Sequence, residues 1–335
     1  MKKIIDIPTG KIIIDEYSRG PLETLTIGDY GKSKNIKAHF LGFDKEINGV
    51  ANGKCMPLSE KWVMTLSTQY GCQMSCLFCD AHNIKFGGNA SFWDLKRQLM
   101  NARNEYPNVG YTDRLNIHFA RMGEPVHNAE NVFNFSRWLA DKRAFQNETG
   151  LRVETIHPVF TTMCPRTPNN NSRTRQAIEQ WVHMKNNAFN GQAGLQLSIN
   201  TTHNEARDKM FNNLSMGLAD IANMCRSLPD PLGRKYCLNF AVTDTTEINP
   251  YILQDHFDKN KFMLKITPIH NNNACRENGF ETKEGYSSYS AYRDIERSLV
   301  GNGWDVLVFV PSMDEENGCV TCGNAILGGS ELKLS

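Results

Sequence analysis

From residue 61 onward, short runs of β-branched and apolar residues alternate with longer amphipathic stretches, the rhythm of successive β–α units feeding a parallel sheet. Six runs predict strands: WVMTLST (62–68), RLNIHFA (114–120), ETIHPVF (154–160), GLQLSIN (194–200), YCLNFAV (236–242) and FMLKITPI (262–269). The stretches between them predict helices over 91–106, 129–145, 172–187 and 287–302. Six such units predict an α/β fold, a partial (β/α)6 barrel rather than a complete eightfold one. In parallel α/β folds ligands gather at the carboxyl ends of strands, so the chemistry is expected there.

Residues 1–58 follow a different pattern. KIIID (11–15), LETLTIGDYG (22–31) and IKAHFLGF (36–43) read as short strands between Gly-rich turns, a small N-terminal β extension packed on the barrel. The barrel is expected over 59–303, and WDVLVFV (304–310) opens a C-terminal tail, 304–335, with one more strand and two cysteines.

A chain of 335 residues can bury a large core. Its Lys+Arg total of 37 against Asp+Glu 36, a net charge of +1, gives little support for a broad nucleic-acid surface. No segment reaches eighteen consecutive apolar residues, and the N-terminus lacks a sustained apolar run and a small-residue cleavage site. The expectation is a soluble, cytoplasmic protein without membrane attachment. Ten cysteines, unevenly spread, do not form the framework of a secreted domain. In a reducing compartment, clustered cysteines point to metal or catalysis.

That cluster is GCQMSCLFCD (71–80), which places Cys72, Cys76 and Cys79 in a C-x3-C-x2-C spacing just after the first parallel strand. Thiolates select zinc or iron–sulfur clusters. Zinc asks for a fourth ligand, for which His82 is near enough to consider. A cubane cluster needs four ligands, and three cysteines leave one iron open to a substrate or cofactor. Inert buried thiols are the remaining reading.

In this spacing at this place the chain resembles the radical SAM enzymes. Further motifs narrow the resemblance to their RlmN/Cfr group of RNA adenosine methyltransferases: LSTQYGCQMSCLFC, RMGEPVHN, LSINTTHNEARDKM and GCVTCGNAILGG are similar to segments of that group in the same order, across about 62–328. The resemblance implies a [4Fe-4S] cluster on Cys72, Cys76 and Cys79 whose open iron binds S-adenosylmethionine (SAM). It implies SAM contacts from Gly123, Glu124 and Pro125, from Thr162 and Ser198 at the ends of the third and fourth strands, and from Asn271 or Asn272 after the sixth. It also implies that Cys322 carries a methyl group to an adenine carbon of RNA or of a nucleotide-like substrate, with an electron donor such as flavodoxin or ferredoxin.

Two departures stand out. The group's resolving cysteine, seven residues before the first cluster cysteine, is here Thr65, leaving Cys319 or Cys164 as candidates for releasing the product. The group carries a helical domain ahead of the β extension, whereas about twenty residues precede GPLETLTIGDYG here, so that domain is not expected. An alternative keeps the cluster and SAM but abstracts hydrogen directly from another substrate, with Cys237, Cys275, Cys319 and Cys322 holding an auxiliary cluster. A non-catalytic metal-binding module is the reading from a different class. His118 and His157 read as barrel-lining residues, the tryptophans as core or interface, and Arg207 as a solvated helix-start residue that matches a family arginine.

Overall fold

The computed structural model of the chain describes residues 2–7, 9–28, 46–47, 50–51, 56–282, 290–309 and 325–327. Its strands are β1 (Lys3–Ile7), β2 (Gly10–Tyr17), β3 (Gly20–Gly28), β4 (Glu46–Ile47), β5 (Val50–Ala51), β6 (Trp62–Leu66), β7 (Gln69–Tyr70), β8 (Gly88–Asn89), β9 (Tyr111–Phe119), β10 (Arg152–Thr162), β11 (Gly194–Ser198), β12 (Tyr236–Val242), β13 (Phe262–Pro268) and β14 (Val306–Val308). Its α-helices are α1 (Phe92–Asn104), α2 (Ala129–Ala140), α3 (Lys142–Thr149), α4 (Pro168–Ala188), α5 (Asn204–Met210), α6 (Leu218–Arg226), α7 (Pro250–His256), α8 (Asn273–Glu277) and α9 (Ser290–Gly301).

Ten strands form one sheet in the order β1-β2-β3-β6-β9-β10-β11-β12-β13-β14. From β6 to β14 every neighbouring pair is parallel. All six expected strands are present, and the expected additional strand forms as β14, with Val306 beside Leu264. The N-terminal extension does more than pack on this unit. β3 pairs antiparallel with β6, setting Leu25 beside Thr65, so β1–β3 continue the sheet. The expected strand at 36–43 lies outside the described residues.

Alternation decides which face is covered. On β13, Phe262, Leu264 and Ile266 are buried while Met263, Lys265 and Thr267 on the opposite face stay partly exposed. The buried set is continuous with Leu115, Ile117 and Phe119 of β9 in the main core. Trp181 of α4 anchors that core, edge-on to Phe119 and stacked on Phe133, and its indole N–H donates to Gly194 O at 2.8 Å. Burying an aromatic of this size is worth several kcal/mol only if its polar end finds such a partner. Of the tryptophans expected in the core or at an interface, Trp62, Trp181 and Trp304 lie in the core and Trp93 is 70% exposed.

One expected helix is two. Residues 129–145 break at Asp141 (ψ 83°), whose side chain accepts the Ala144 N–H at 3.0 Å and so caps α3 as α2 ends.

Candidate active site at the carboxyl ends of the strands

The loop bearing the three cysteines leaves the end of β6, and the segment after β9 lies directly against it. Thr68 N–H donates to Met122 O at 2.7 Å and Arg121 N–H to Leu66 O at 3.2 Å. Gln69 joins the two segments: its side-chain oxygen accepts the Glu124 N–H at 3.1 Å and its amide donates to Asn89 Oδ1 at 2.8 Å. The close approach of Gln69 dictates glycine at 123. Gly123 has φ +93°, and a Cβ there would sit 2.6 Å from Gln69 Cβ and Cγ. Asn128 closes the motif, donating to Thr68 O and Ala90 O, each at 2.7 Å.

Gly123 also reaches the thiols. Cys72 Sγ accepts the N–H of Gly123 and, at 3.4 Å, that of Met74. Cys76 is buried with its thiol 3.5 Å from Met163 Sδ, and Cys79 Sγ accepts the Ala81 N–H. Around them stands an apolar shell that includes Met74, Met163, Met210, Phe211 and Phe280. Burial pushes the Cys72 thiol up to about 12, and Cys79 beside it adds to the rise. Burial likewise raises Cys76, with Cys79 and Cys72 next in effect, and Cys79 itself. Three thiolates crowded here repel one another and lack solvent, so the donor set fits a centre that brings positive charge and binds soft sulfur. Among the described residues no group of three or more His, Cys, Asp or Glu side chains already stands in a metal-holding arrangement.

Glu124 is 4% exposed. Its carboxylate accepts the N–H groups of Val126 and Met163, both at 3.0 Å, and the Thr162 hydroxyl. Burial raises its pKa to about 7 against the opposing pull of those bonds. Pro125 opens the short 3-10 turn Pro125–Asn128 that presents Val126 N–H to it. Thr162, last residue of β10, is fully buried; its oxygen also accepts the Cys164 N–H at 2.9 Å, so it acts as the support of Glu124. Ser198 ends β11 on the partly exposed face, with its carbonyl held by Arg207 at 2.7 Å.

The sixth-strand asparagines separate. Asn272 is 6% exposed, caps α8 by accepting Cys275 N–H at 2.8 Å, and donates to Phe78 O at 3.0 Å. Asp80 accepts Ala274 N–H at 2.7 Å and Asn278 donates to Leu77 O at 3.0 Å, so α8 grips the chain between Cys76 and Cys79. Asn271 is exposed and accepts from Arg276.

Sequence reasoning missed Arg207. Far from solvated, it is 1% exposed and donates to Met216 O (3.1 Å), Ser198 O (2.7 Å), Ile199 O (2.5 Å), Met163 O (3.2 Å) and Ser215 Oγ. It thus ties the ends of β10 and β11 together beneath Glu124's partner Met163. Only the match to a family arginine signalled it. Its cost is visible in the guanidinium pKa, which burial lowers to about 10.

Thr65 faces the partly exposed side of β6 beside His118 of β9. Burial and the cations Lys265, Arg234, Lys61 and Arg114 drive His118 down to about 3, and His157 likewise, led by burial and Arg114, so both imidazoles are neutral. Cys164 is fully buried and raised by burial to about 12, a poor nucleophile in this state. Cys237 lies near Lys265 and Arg234, and Cys275 packs in the apolar shell around the cysteine loop and donates its thiol to Phe78 O at 3.3 Å. Cys319 and Cys322 lie outside the described residues.

The mostly parallel α/β sheet, with the three-cysteine loop after its first parallel strand, is the architecture that the resemblance to radical SAM enzymes implied. The chain superimposes on a radical SAM methyltransferase from Sphaerobacter thermophilus with a TM-score of 0.61 over 92% of this chain and 77% of that one, at 14% identity. In sequence it is similar to the dual-specificity RNA methyltransferases RlmN of Campylobacter hominis (26% identical over 214 residues, 63% of this chain) and Pelobacter propionicus (23% over 249 residues, 73% of this chain). The matched part spans 53% and 60% of those two relatives, little more than half their length. No family model matches the chain. Among the described residues no helix is long and apolar enough to cross a membrane.

Proposed function

We propose that the chain is a radical SAM enzyme that methylates an adenine carbon in RNA or in a nucleotide-like substrate. The observation that carries this reading is the meeting of the 123–125 turn with the cysteine loop: Gly123 N–H on Cys72 sulfur, and the buried Glu124 carboxylate tied to the end of β10. A scaffold that merely held a metal has no use for a buried, solvent-free carboxyl beside it.

Cys72, Cys76 and Cys79 would hold a [4Fe-4S] cluster that, when bound, supplies the electron for reductive cleavage of SAM. Glu124 offers an ammonium group a carboxylate already oriented by Val126, Thr162 and Met163, so little reorganisation is needed when the charge pair forms. Gly123 and Pro125 fix the turn that aims it, and Ser198 is the polar group at the neighbouring strand end. Asn272 holds the cysteine loop in place through Phe78, which makes it a support rather than the exposed contact; Asn271 has the accessible side chain. The apolar shell of Met74, Met163 and Met210 excludes water from the thiols. Cys322 is the methyl-carrying thiol in this reading and Cys319 the candidate for releasing the product, with a flavodoxin- or ferredoxin-like donor supplying electrons.

The test is anaerobic. Reconstituted protein is reduced with methyl-labelled SAM, and iron content, small molecules and intact mass are measured. About four irons per chain, 5'-deoxyadenosine, S-adenosylhomocysteine and one labelled methyl on Cys322 are the expected results. Formation of 5'-deoxyadenosine with Cys322 unmodified would refute methyl transfer, and about eight irons would point to the auxiliary cluster.

A further inference from the structure

Glu23, in the middle of β3, has no solvent exposure, yet its partners come from three remote parts of the chain. Its carboxylate forms a buried ion pair with Arg121, itself 4% exposed and two residues before Gly123. The same carboxylate accepts the Ile326 N–H at 3.1 Å and the Ala325 N–H. Its backbone carbonyl accepts the Ser67 hydroxyl at 2.6 Å, at the start of the cysteine loop. Ala325 is 1% exposed and packs with Ile7, Ile12 and Leu25 of the antiparallel extension, while Ile326 rests on the main core.

A fully buried ion pair is a poor source of stability, since desolvating two charges offsets most of their attraction. Its value here is geometric. One carboxylate fixes the turn at 325–327, the chain just before the Gly-Glu-Pro turn and, through its own peptide, the chain leading to Cys72. Three residues of chain reach at most about 11 Å. Holding Ala325 therefore fixes the far end of the three-residue connection that follows Cys322 in sequence.

We propose that the Glu23–Arg121 pair is an anchor that docks the 325–327 turn against the end of β9, and that Glu23 and Arg121 are positioning residues for the cysteine-bearing segment just before it. The anchor also gives the antiparallel extension a task, because β1–β3 supply both the carboxylate and the apolar seat for Ala325. The catalytic half of this inference rests on the methyl-carrier reading of Cys322; the anchoring half does not.

The experiment uses the full chain with its cluster reconstituted and two variants. Glu23→Gln keeps the size of the side chain and removes the ion pair. The double variant Glu23→Leu with Arg121→Met removes both charges, so that no orphaned charge remains to unfold the protein. Amide exchange read by mass spectrometry is expected to speed up at least tenfold at Ala325 and Ile326 in both, with β9 and β10 unchanged. Methylation of Cys322 should fall at least tenfold while 5'-deoxyadenosine formation stays within threefold. Exchange at 325–326 as slow as in the unaltered protein would overturn the anchor, as would loss of protection throughout the sheet in the double variant. Parallel loss of Cys322 methylation and SAM cleavage would overturn the positioning role. If the unaltered protein never methylates Cys322, the proposed function fails, and the exchange result still decides whether the anchor exists.

Discussion

Replacing Glu124 by glutamine tests the central electrostatic claim about the site. In the cluster-free protein burial moves this carboxyl from 4.5 to about 7. At about 1.4 kcal/mol per pH unit, that difference amounts to about 3 kcal/mol. Because the folded state keeps the proton to a higher pH than the unfolded chain, the contribution is complete below about 4.5 and lost as pH rises through about 7. Glutamine has no such titration, but it offers one oxygen where Val126 and Met163 both donate. The donor left over costs about 1–3 kcal/mol at any pH. The Glu124→Gln protein should therefore be about 1–3 kcal/mol less stable than the unaltered protein at pH 4 to 5, and equal or up to about 2 kcal/mol more stable at pH 8. Urea denaturation of both proteins across that range, under reducing conditions without metal, measures the difference directly. A stability gap that stays constant with pH to within about 0.5 kcal/mol would refute the raised pKa. On the proposed function, SAM binding with the cluster restored should weaken at least tenfold in the variant, because a neutral amide would replace the carboxylate offered to the ammonium of the methionine.

Other outcomes follow from the same geometry. Gly123→Ala forces a Cβ to within 2.6 Å of Gln69 and an L-residue to φ +93°; it should cost about 2–4 kcal/mol and release the Glu124 N–H, read by thermal denaturation and by loss of SAM cleavage. Arg207→Ala removes the charged donor shared by the carbonyls of Ser198, Ile199, Met163 and Met216, although Ile199 O keeps the Thr201 N–H and Met163 O keeps the Ser215 hydroxyl, and should cost about 2–4 kcal/mol in urea denaturation; a loss below about 1 kcal/mol would show the guanidinium to be dispensable. Serine at Cys72, Cys76 or Cys79 should abolish iron retention and 5'-deoxyadenosine formation while leaving the far-ultraviolet circular dichroism intact, since α8 and Asn272 hold the loop through Phe78 O and the Asp80 side chain rather than through the three thiols. Asn272→Ala should instead reduce iron content partially, with loss measured by iron and sulfide assay.

The sequence alone determined the repeating unit and the place of its chemistry. Alternating apolar strands and amphipathic helices admit few arrangements besides a parallel sheet, and parallel sheets expose their ligand sites at strand ends. The cysteine spacing was legible as a local pattern, three thiols on one loop; Gly-Glu-Pro, a simple turn by itself, was legible through its register after the second strand and the resemblance it carries. Tertiary structure alone decided what depends on contacts between distant segments. Nothing near Arg207 in sequence reveals that its partners are carbonyls at two strand ends, and nothing near Glu23 names Arg121 or Ile326. Asn271 and Asn272 are alike in sequence; the cap of α8 buries one and leaves the other exposed. The antiparallel extension was visible as strands, but its union with β6 was not, because strand pairing is a non-local choice set by which edge remains open. A buried charge is stable only through partners that folding brings to it, and those partners are written nowhere in its own neighbourhood of the chain.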